Sequence, residues 1–506
     1  MIAKETQVEH FGIDFGTTNI AVGGLLLDHD TQKAFRVLYG EDGVPFPSIL
    51  AAKDEGEGKP KVRFGRRVKT QVATMQDEGY KVIKSIKTAL GEDIKYEIGS
   101  LRTNPTKVVA YLISSIKRYL AKNPRRPVEI NEATVAVPVD FSSVQRNELC
   151  TAFEKAGIKV KKIVSESMAA YIRNRDAVEG FSRVAVFDWG GGTLDISLLE
   201  VKKGKVFEIA TTGWKVAGDK IDETIAEFVH NQLISSDQVK IKKLFSELSE
   251  RDRTKLLVQC EEAKIKFADE DDIDYPANIS ILDYCGAEKV FYRLKYEDFE
   301  ALIAQTISDA VGQIGVVLDK ADKRWQDLNA IIMVGGTSNL LPLRQIMERE
   351  FFQKRGIKIV YPERPQWSVA EGAAVIDSLD CQYELNQDIG ISLSDDSFYP
   401  IIARGSKIPF KGTPATFGTI DNATSANFII IDDNANVLHR LTMPAKGFLG
   451  EYFEVCGEID NSLTAKITIR ASRTMSNVAS QIVEINQLSY YCDISEIENY
   501  QFSIIQ

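Results

Sequence analysis

The sequence predicts an α/β protein of two related lobes around a cleft, followed by a smaller all-β unit. Three observations carry this. Strand-like and helix-like segments alternate from residue 11 to about residue 378. One strand–turn–strand pattern occurs twice, as "FGIDFGTTNIAVGGLLL" (11–27) and "VAVFDWGGGTLDISLLE" (184–200). Beyond about residue 380, long helical patterns stop and short alternating strands take over.

Residues 11–27 and 35–39 read as strands, and "KDEGEGKPK" (53–61) as a solvated loop. A helical pattern over 66–90 ends at Gly91, and a second helix over 106–121 is stopped by "NPRRP" (123–127). The strand "ATVAVPVDF" (133–141) leads into a helix from Ser142 to Ala156, with Ser142 and Ser143 as N-cap candidates and Gly157 as C-cap. Residues 183–201 repeat the strand–turn–strand unit. Residues 219–270 are mainly helical and run into the acidic stretch 269–272, and 296–320 is helical again. A short buried strand over 329–335 meets "GGTSNLLPLRQIMERE", a turn into a helix. In the last third, "FIIIDDNANVLHRL" (428–441) and "TAKITIRAS" (464–472) read as strands. In the latter, Ile467, Ile469 and Ala471 alternate with Lys466, Thr468 and Arg470. The boundary falls at about 378–390.

At 506 residues the chain is too long for one core, since domains run to roughly 100–200 residues. Hydrophobic content of 44% with 26% charged residues is ordinary globular composition, and a net charge of −10 argues against nucleic-acid or anionic-membrane binding. The six cysteines are scattered without a CxxC pair, so neither a metal cluster nor a disulfide framework is expected. No apolar leader opens the chain, and no apolar run approaches the roughly 20 residues that span a bilayer, so a cytoplasmic location is expected. Only four histidines occur, which disfavours a His-centred mechanism.

The repeat supplies the chemistry. Glycines let backbone N–H groups approach phosphate oxygens, here Gly16 in the first turn and Gly190, Gly191 and Gly192 in the second. Thr17, Thr18 and Thr193 offer hydroxyl donors. Asp14, Asp188 and Asp195 can hold magnesium through its waters, because Mg²⁺ dehydrates reluctantly. One glycine turn is commonly only a turn; two copies with the acid in register point to a polyphosphate held between lobes. Gly335 and Gly336 end a buried strand at a helix start, where a nucleoside can lie against backbone. There is no GxxxxGK[ST] loop.

Taken in order and spacing, "GIDFGTTN", "VAVPVDFSSVQRNELCTAFEKAGI", "IVSESMAAY", "FDWGGGTLDIS", "IIMVGGTSNLLPL" and "PQWSVAEGAAV" resemble motifs of the actin-like ATPase superfamily. The resemblance is strongest to the seventy-kilodalton heat-shock chaperone family and runs from about residue 10 to 378. It implies a two-lobed actin-like ATPase domain over 1–378, a linker over 379–390, and a small β-sandwich substrate-binding-like domain over 391–506 without a helical lid. It also implies ATP/ADP and Mg²⁺ as ligands and slow hydrolysis of ATP. Lys87 in "SIKTALG" matches the lysine near the γ-phosphate, Thr193 the hydroxyl beside it, and Glu166 an acid that helps order magnesium and the attacking water with Asp14, Asp188 and Asp195. Gly218 matches a glycine near the nucleotide. Glu261 and Lys264 match ribose-side contacts, though both also suit a charged helix face. Pro138 matches a proline that relays nucleotide state, or is simply a strand-end proline. Asn339 stands where the family commonly has an arginine over the adenine, which removes a stacking plane.

The C-terminal third resembles the family's peptide-binding sandwich, in which an extended peptide is clasped through its backbone. Phe417 and Ile429 match pocket-lining positions or are sandwich core. Asn427 replaces an apolar pocket residue, and "SDDS" (394–397) replaces a small, apolar arch segment. The linker region "DSLDCQYELNQDIG" (377–390) is mostly polar, so its docking by apolar burial is expected to be weak. The implied partners are a polypeptide client or a dedicated partner protein, with a J-domain co-chaperone and a nucleotide exchange factor; no nucleic acid and no membrane. The alternatives are a nucleotide-switched scaffold and a small-molecule kinase of the same superfamily.

Overall fold

The computed structural model describes residues 10–28, 33–56, 58–124, 126–268, 271, 273–379, 381, 383–420, 422–445, 451–471, 480–485, 488–494 and 503–505. Most of the acidic run at 269–272 and part of the closing segment 477–506 lie outside the described residues.

The repeat forms the centre of two similar sheets. In the first lobe, His10–Phe15 and Asn19–Asp28 form an antiparallel hairpin, and His10–Phe15 also pairs in parallel with Glu132–Val137, followed outward by Lys159–Ser165. In the second, Arg183–Trp189 and Leu194–Lys202 form the hairpin, and Arg183–Trp189 pairs in parallel with Ala330–Val334. Asp14 and Asp188 thus occupy equivalent places, each one residue from the end of its strand. The strands buried on both faces read as continuous apolar runs, as in "AIIMV".

Helix packing brings the lobes together. Ser368–Ser378 lies on the first hairpin and crosses Glu166–Asn174 so closely that a Cβ on Gly372 would stand 1.8 Å from the Ala169 carbonyl oxygen. Helix Tyr296–Lys320 is long and apolar enough to cross a membrane by length and composition. It buries Phe299, Ile303, Ile307, Ala310, Ile314 and Val317, at spacings of three and four, in the core of the second lobe.

The expected helix over 66–90 is broken into pieces. Arg66–Thr70 and Val72–Asp77 are short helices, Lys81–Lys84 is a strand, and Ile86–Ala89 is one 3₁₀ turn. The strand pairs with Ile49–Ala52, and this ladder overrides the helical pattern. Gly79, at φ 82°, makes the reversal that allows it. The loop expected over 53–61 is correspondingly shorter, because strands Ile49–Asp54 and Pro60–Phe64 close over it.

After residue 388 the chain forms two antiparallel sheets. One orders Phe398–Ile402, Ile389–Ser392, Ser425–Asp432 and Val437–Pro444; the other runs through Tyr452–Ile459, Ala465–Ala471 and Ser480–Ile485. Their apolar faces share one core, with the Phe428 and Phe453 rings 5.4 Å apart.

Two features depart from the expectation. The linker is not weakly docked: Cys381, Tyr383, Leu385 and Ile389 are all buried. Composition made the segment look polar, but Cys381, Tyr383 and Leu385 alternate with polar neighbours and share one face. The closing strands also leave the C-terminal sheets. Tyr490–Asp493 inserts between Lys205–Trp214 of the second lobe and the linker strand Tyr383–Leu385, and Ser503–Ile505 pairs with Lys33–Tyr39 of the first lobe.

The Gly372 contact yields a test. An alanine inside a helix ordinarily gains about 1 kcal/mol over glycine. Here Gly372→Ala is expected to lose about 2 kcal/mol through overpacking, seen as a lower urea midpoint. A raised midpoint would contradict the close crossing.

Candidate functional site

A cleft of about 510 Å³ opens between the two hairpin turns. The turn Gly16–Thr18 forms one side and Gly190–Thr193 the other. A Cβ on Gly191 would lie 2.0 Å from Thr18 Oγ1, and one on Gly192 2.7 Å from Thr17 Cγ2, so the turns meet only because both positions are glycine. The Thr18 hydroxyl is buried and has no hydrogen-bond partner among the described residues.

A third wall begins where strand Ala330–Val334 ends at Gly335 and Gly336 and continues as a 3₁₀ turn, Thr337–Asn339. Thr337 Oγ1 donates to the Gly190 carbonyl at 2.7 Å, tying this wall to the second turn. Gly218 lies just behind the lining. Its N–H donates to the Gly190 carbonyl at 3.1 Å, and the Asp219 N–H to Gly191 at 2.7 Å, which anchors the start of helix Gly218–Ser235 beneath the turn. Lys264 lines the cleft, and its ammonium donates to Asp222 at 2.8 Å and to the Gly218 carbonyl at 3.0 Å. Glu261 accepts from Lys69 at 2.7 Å, an ion pair that bridges the lobes over the cleft. Asn339 lines this third wall with Gly335 and Gly336.

At the floor, Lys87 donates to Glu166 Oε1 at 2.6 Å, and both side chains are buried. Asp14, Asp188 and Asp195 line the same floor. Burial first, then the Glu166 charge, pushes the Asp14 carboxyl up to about 7, partly offset by Lys87. Burial and Glu166 likewise push Asp195 up to about 7, against a hydrogen bond from Thr193. Asp188 is raised well above the usual carboxylate range by burial and by Glu166, Asp14 and Asp195. Burial pulls the Lys87 ammonium down, but Glu166 and Asp14 outweigh it and leave its value raised. One ammonium therefore serves four carboxylates. Among the described residues, no three His, Cys, Asp or Glu side chains stand close enough to share a metal ion directly. A cation held through its waters fits this donor set, and the unpartnered Thr18 hydroxyl fits a phosphate oxygen.

Pro138 is outside the lining. Its carbonyl accepts from the Phe141 N–H at 3.2 Å, and the Phe141 ring stands 5.7 Å from the Lys87 ammonium. Phe417 and Ile429 lie in the C-terminal sheets, away from the cleft. The Phe417 ring packs edge-on to Tyr399 at 5.2 Å and against the shared core, whereas Ile429 points opposite to buried Phe428 and Ile430. Reading by motif missed Lys69, Asp219, Asp222 and Gln366. Asp219, directly after Gly218, and Gln366, inside the segment "PQWSVAEGAAV", carried a local signal; Lys69 reaches the lining through the fold alone.

The chain is similar to known proteins over most of its length. The profile of the family described as Hsp70 protein matches residues 59–438. The chaperone protein DnaK of Thermosipho melanesiensis is 30% identical over 423 residues, covering 79% of this chain and 66% of that protein. DnaK of Metamycoplasma hominis is 28% identical over 436 residues, covering 83% and 68%. DnaK of Thermotoga maritima is 28% identical over 419 residues, covering 79% and 66%. The chain thus spans about two thirds of the length of these relatives. With the two repeat turns, the third glycine wall and a profile match over most of its length, this chain belongs to the Hsp70 protein family.

Proposed function

We propose that the chain is an Hsp70-type chaperone that binds ATP with magnesium in the cleft, hydrolyses it slowly, and couples that cycle to polypeptide binding by a C-terminal β-sandwich. The observation that carries the reading is the meeting of both repeat turns with the buried Lys87–Glu166 pair in one cleft. The relatives named as chaperones support the client side of the proposal. A client polypeptide, a J-domain co-chaperone and an exchange factor are the partners this reading expects.

The roles follow from the chemistry. Backbone N–H groups and hydroxyls of Gly16–Thr18 and Gly190–Thr193 bind the phosphates from both sides. Asp14, Asp188, Asp195 and Glu166 would hold magnesium through its waters. Held there, the cation would neutralise phosphate charge. Lys87 offsets the negative charge on the γ-phosphoryl oxygens, and Glu166 orients the attacking water. The water oxygen bonds to phosphorus, the bond to the β-phosphate oxygen breaks, and ADP and hydrogenphosphate leave, with the water's second proton released to solvent. Gly335, Gly336 and Asn339 form the nucleoside end, without an arginine plane over the base.

Three outcomes are expected. Lys87→Ala lowers single-turnover ATP hydrolysis by about 10²- to 10³-fold; a wild-type rate would remove Lys87 from the reaction. Gly336 has an ordinary helical φ of −67° and open space around it. Gly336→Val therefore changes stability by no more than about 0.5 kcal/mol. It fills the nucleoside end, so titration with a fluorescent ADP analogue shows affinity reduced by about tenfold or more. An unchanged Kd would put the base elsewhere.

The third concerns pH. Asp14 and Asp195 titrate near 7 in the folded protein against an ordinary 3.8. Their contribution to stability is full below about pH 4 and is lost as pH rises through 7. Magnesium ADP favours the ionised acids, so the Tm rise it produces is larger at pH 8 than at pH 6. The pH difference shrinks in Asp195→Asn. Identical behaviour of variant and wild type would contradict this assignment.

A further inference from the structure

The linker strand touches the helix that carries Glu166. The Tyr383 hydroxyl accepts a hydrogen bond from the Ser165 N–H at 3.0 Å and lies 3.3 Å from the Ser165 hydroxyl, at a buried contact. Ser165 is the last residue of the edge strand Lys159–Ser165 and the N-cap of helix Glu166–Asn174, where its Oγ accepts from the Met168 N–H at 3.2 Å. The next residue is Glu166, which binds Lys87. Tyr383 does not line the cleft, so it touches neither the phosphates nor the water directly.

Tyr383 is itself held by an extension of the second-lobe sheet. It pairs with Cys492 in the closing strand Tyr490–Asp493, and that strand pairs with Lys205, Val206 and Phe207 of the second lobe. Its ring meets the Tyr490 ring edge-on at 6.2 Å, and the Tyr490 hydroxyl donates at 2.8 Å to the Leu463 carbonyl in the turn between strands Tyr452–Ile459 and Ala465–Ala471. The half-buried Glu208 carboxylate, which accepts from Ser167, completes the surroundings. A linker that served only to tie domains together would be satisfied by an apolar ring. A phenol hydroxyl buried to this depth needs a partner, and the partner here is the helix cap of the acid.

We propose that Tyr383 is a positioning residue for ATP hydrolysis: braced by the closing strand Tyr490–Asp493, its hydroxyl holds the N-cap of the Glu166 helix and so sets the direction of the Glu166 carboxylate. The inference rests on the hydrolytic reading above.

The test uses the full chain. Tyr383→Phe removes only the hydroxyl, and thermal melts check that the variant is folded. Its kcat is expected to fall about tenfold, as misplacement of a catalytic group does, with Kd for ATP and ADP unchanged. In a Glu166→Ala background the same substitution is expected to leave the residual rate unchanged, because the two act as one unit. The proposal is overturned by a Tyr383→Phe rate within about twofold of wild type, by parallel loss of nucleotide affinity, or by an additive loss in the Glu166→Ala background. A wild-type chain that binds ATP without hydrolysing it would instead overturn the hydrolytic reading on its own.

Discussion

The Lys87–Glu166 ion pair is the contact on which the cleft depends. Buried charges are costly unless paired and hydrogen-bonded, and this floor gathers Glu166, Asp14, Asp188 and Asp195 around a single ammonium. Burial, and then that imbalance, push Asp14 and Asp195 up to about 7 and hold Asp188 well above the usual carboxylate range. It also suits a ligand that arrives with its own divalent cation, which supplies the positive charge the protein lacks. Lys87 reaches this place because its segment is not helical. Strand Lys81–Lys84 and the 3₁₀ turn Ile86–Ala89 carry it inward, where a continuous helix over 66–90 would have left it on a surface.

The two-lobe design distributes the remaining parts. Each lobe offers one glycine-bearing turn, and the turns approach within side-chain contact. The lobes are joined below by the tight crossing of Ser368–Ser378 on Glu166–Asn174 and above by Lys69 and Glu261. The cleft is bridged at the top by ion pairs, Lys69 with Glu261 and Arg251 with Asp77, and closed at the base by packed helices.

The C-terminal third is fastened to this machine by strands. The closing strand Tyr490–Asp493 extends the second-lobe sheet and presents the linker strand to the first lobe. Backbone pairing therefore ties the closing and linker strands to the second-lobe sheet, and the polar contact at Ser165 is the point where the linker strand meets the end of the first-lobe strand Lys159–Ser165 and the start of the Glu166 helix.

What the sequence determined by itself was whatever is written in short, contiguous signals. The repeated Asp-aromatic-Gly turns, the Gly335–Gly336 wall, the Ser142 capping of its helix and the change to alternating strands near residue 380 all arise from local backbone demands, which a linear reading can see. The tertiary structure decided the rest, for reasons of long-range pairing and burial. Strand pairing with Ile49–Ala52 dissolved the expected helix over 66–90. Burial of one face made a docking strand of a linker whose composition looked polar. Residues far apart in sequence, Lys69 with Glu261 and Ser165 with Tyr383, became partners only because sheets and helices carried them to one place.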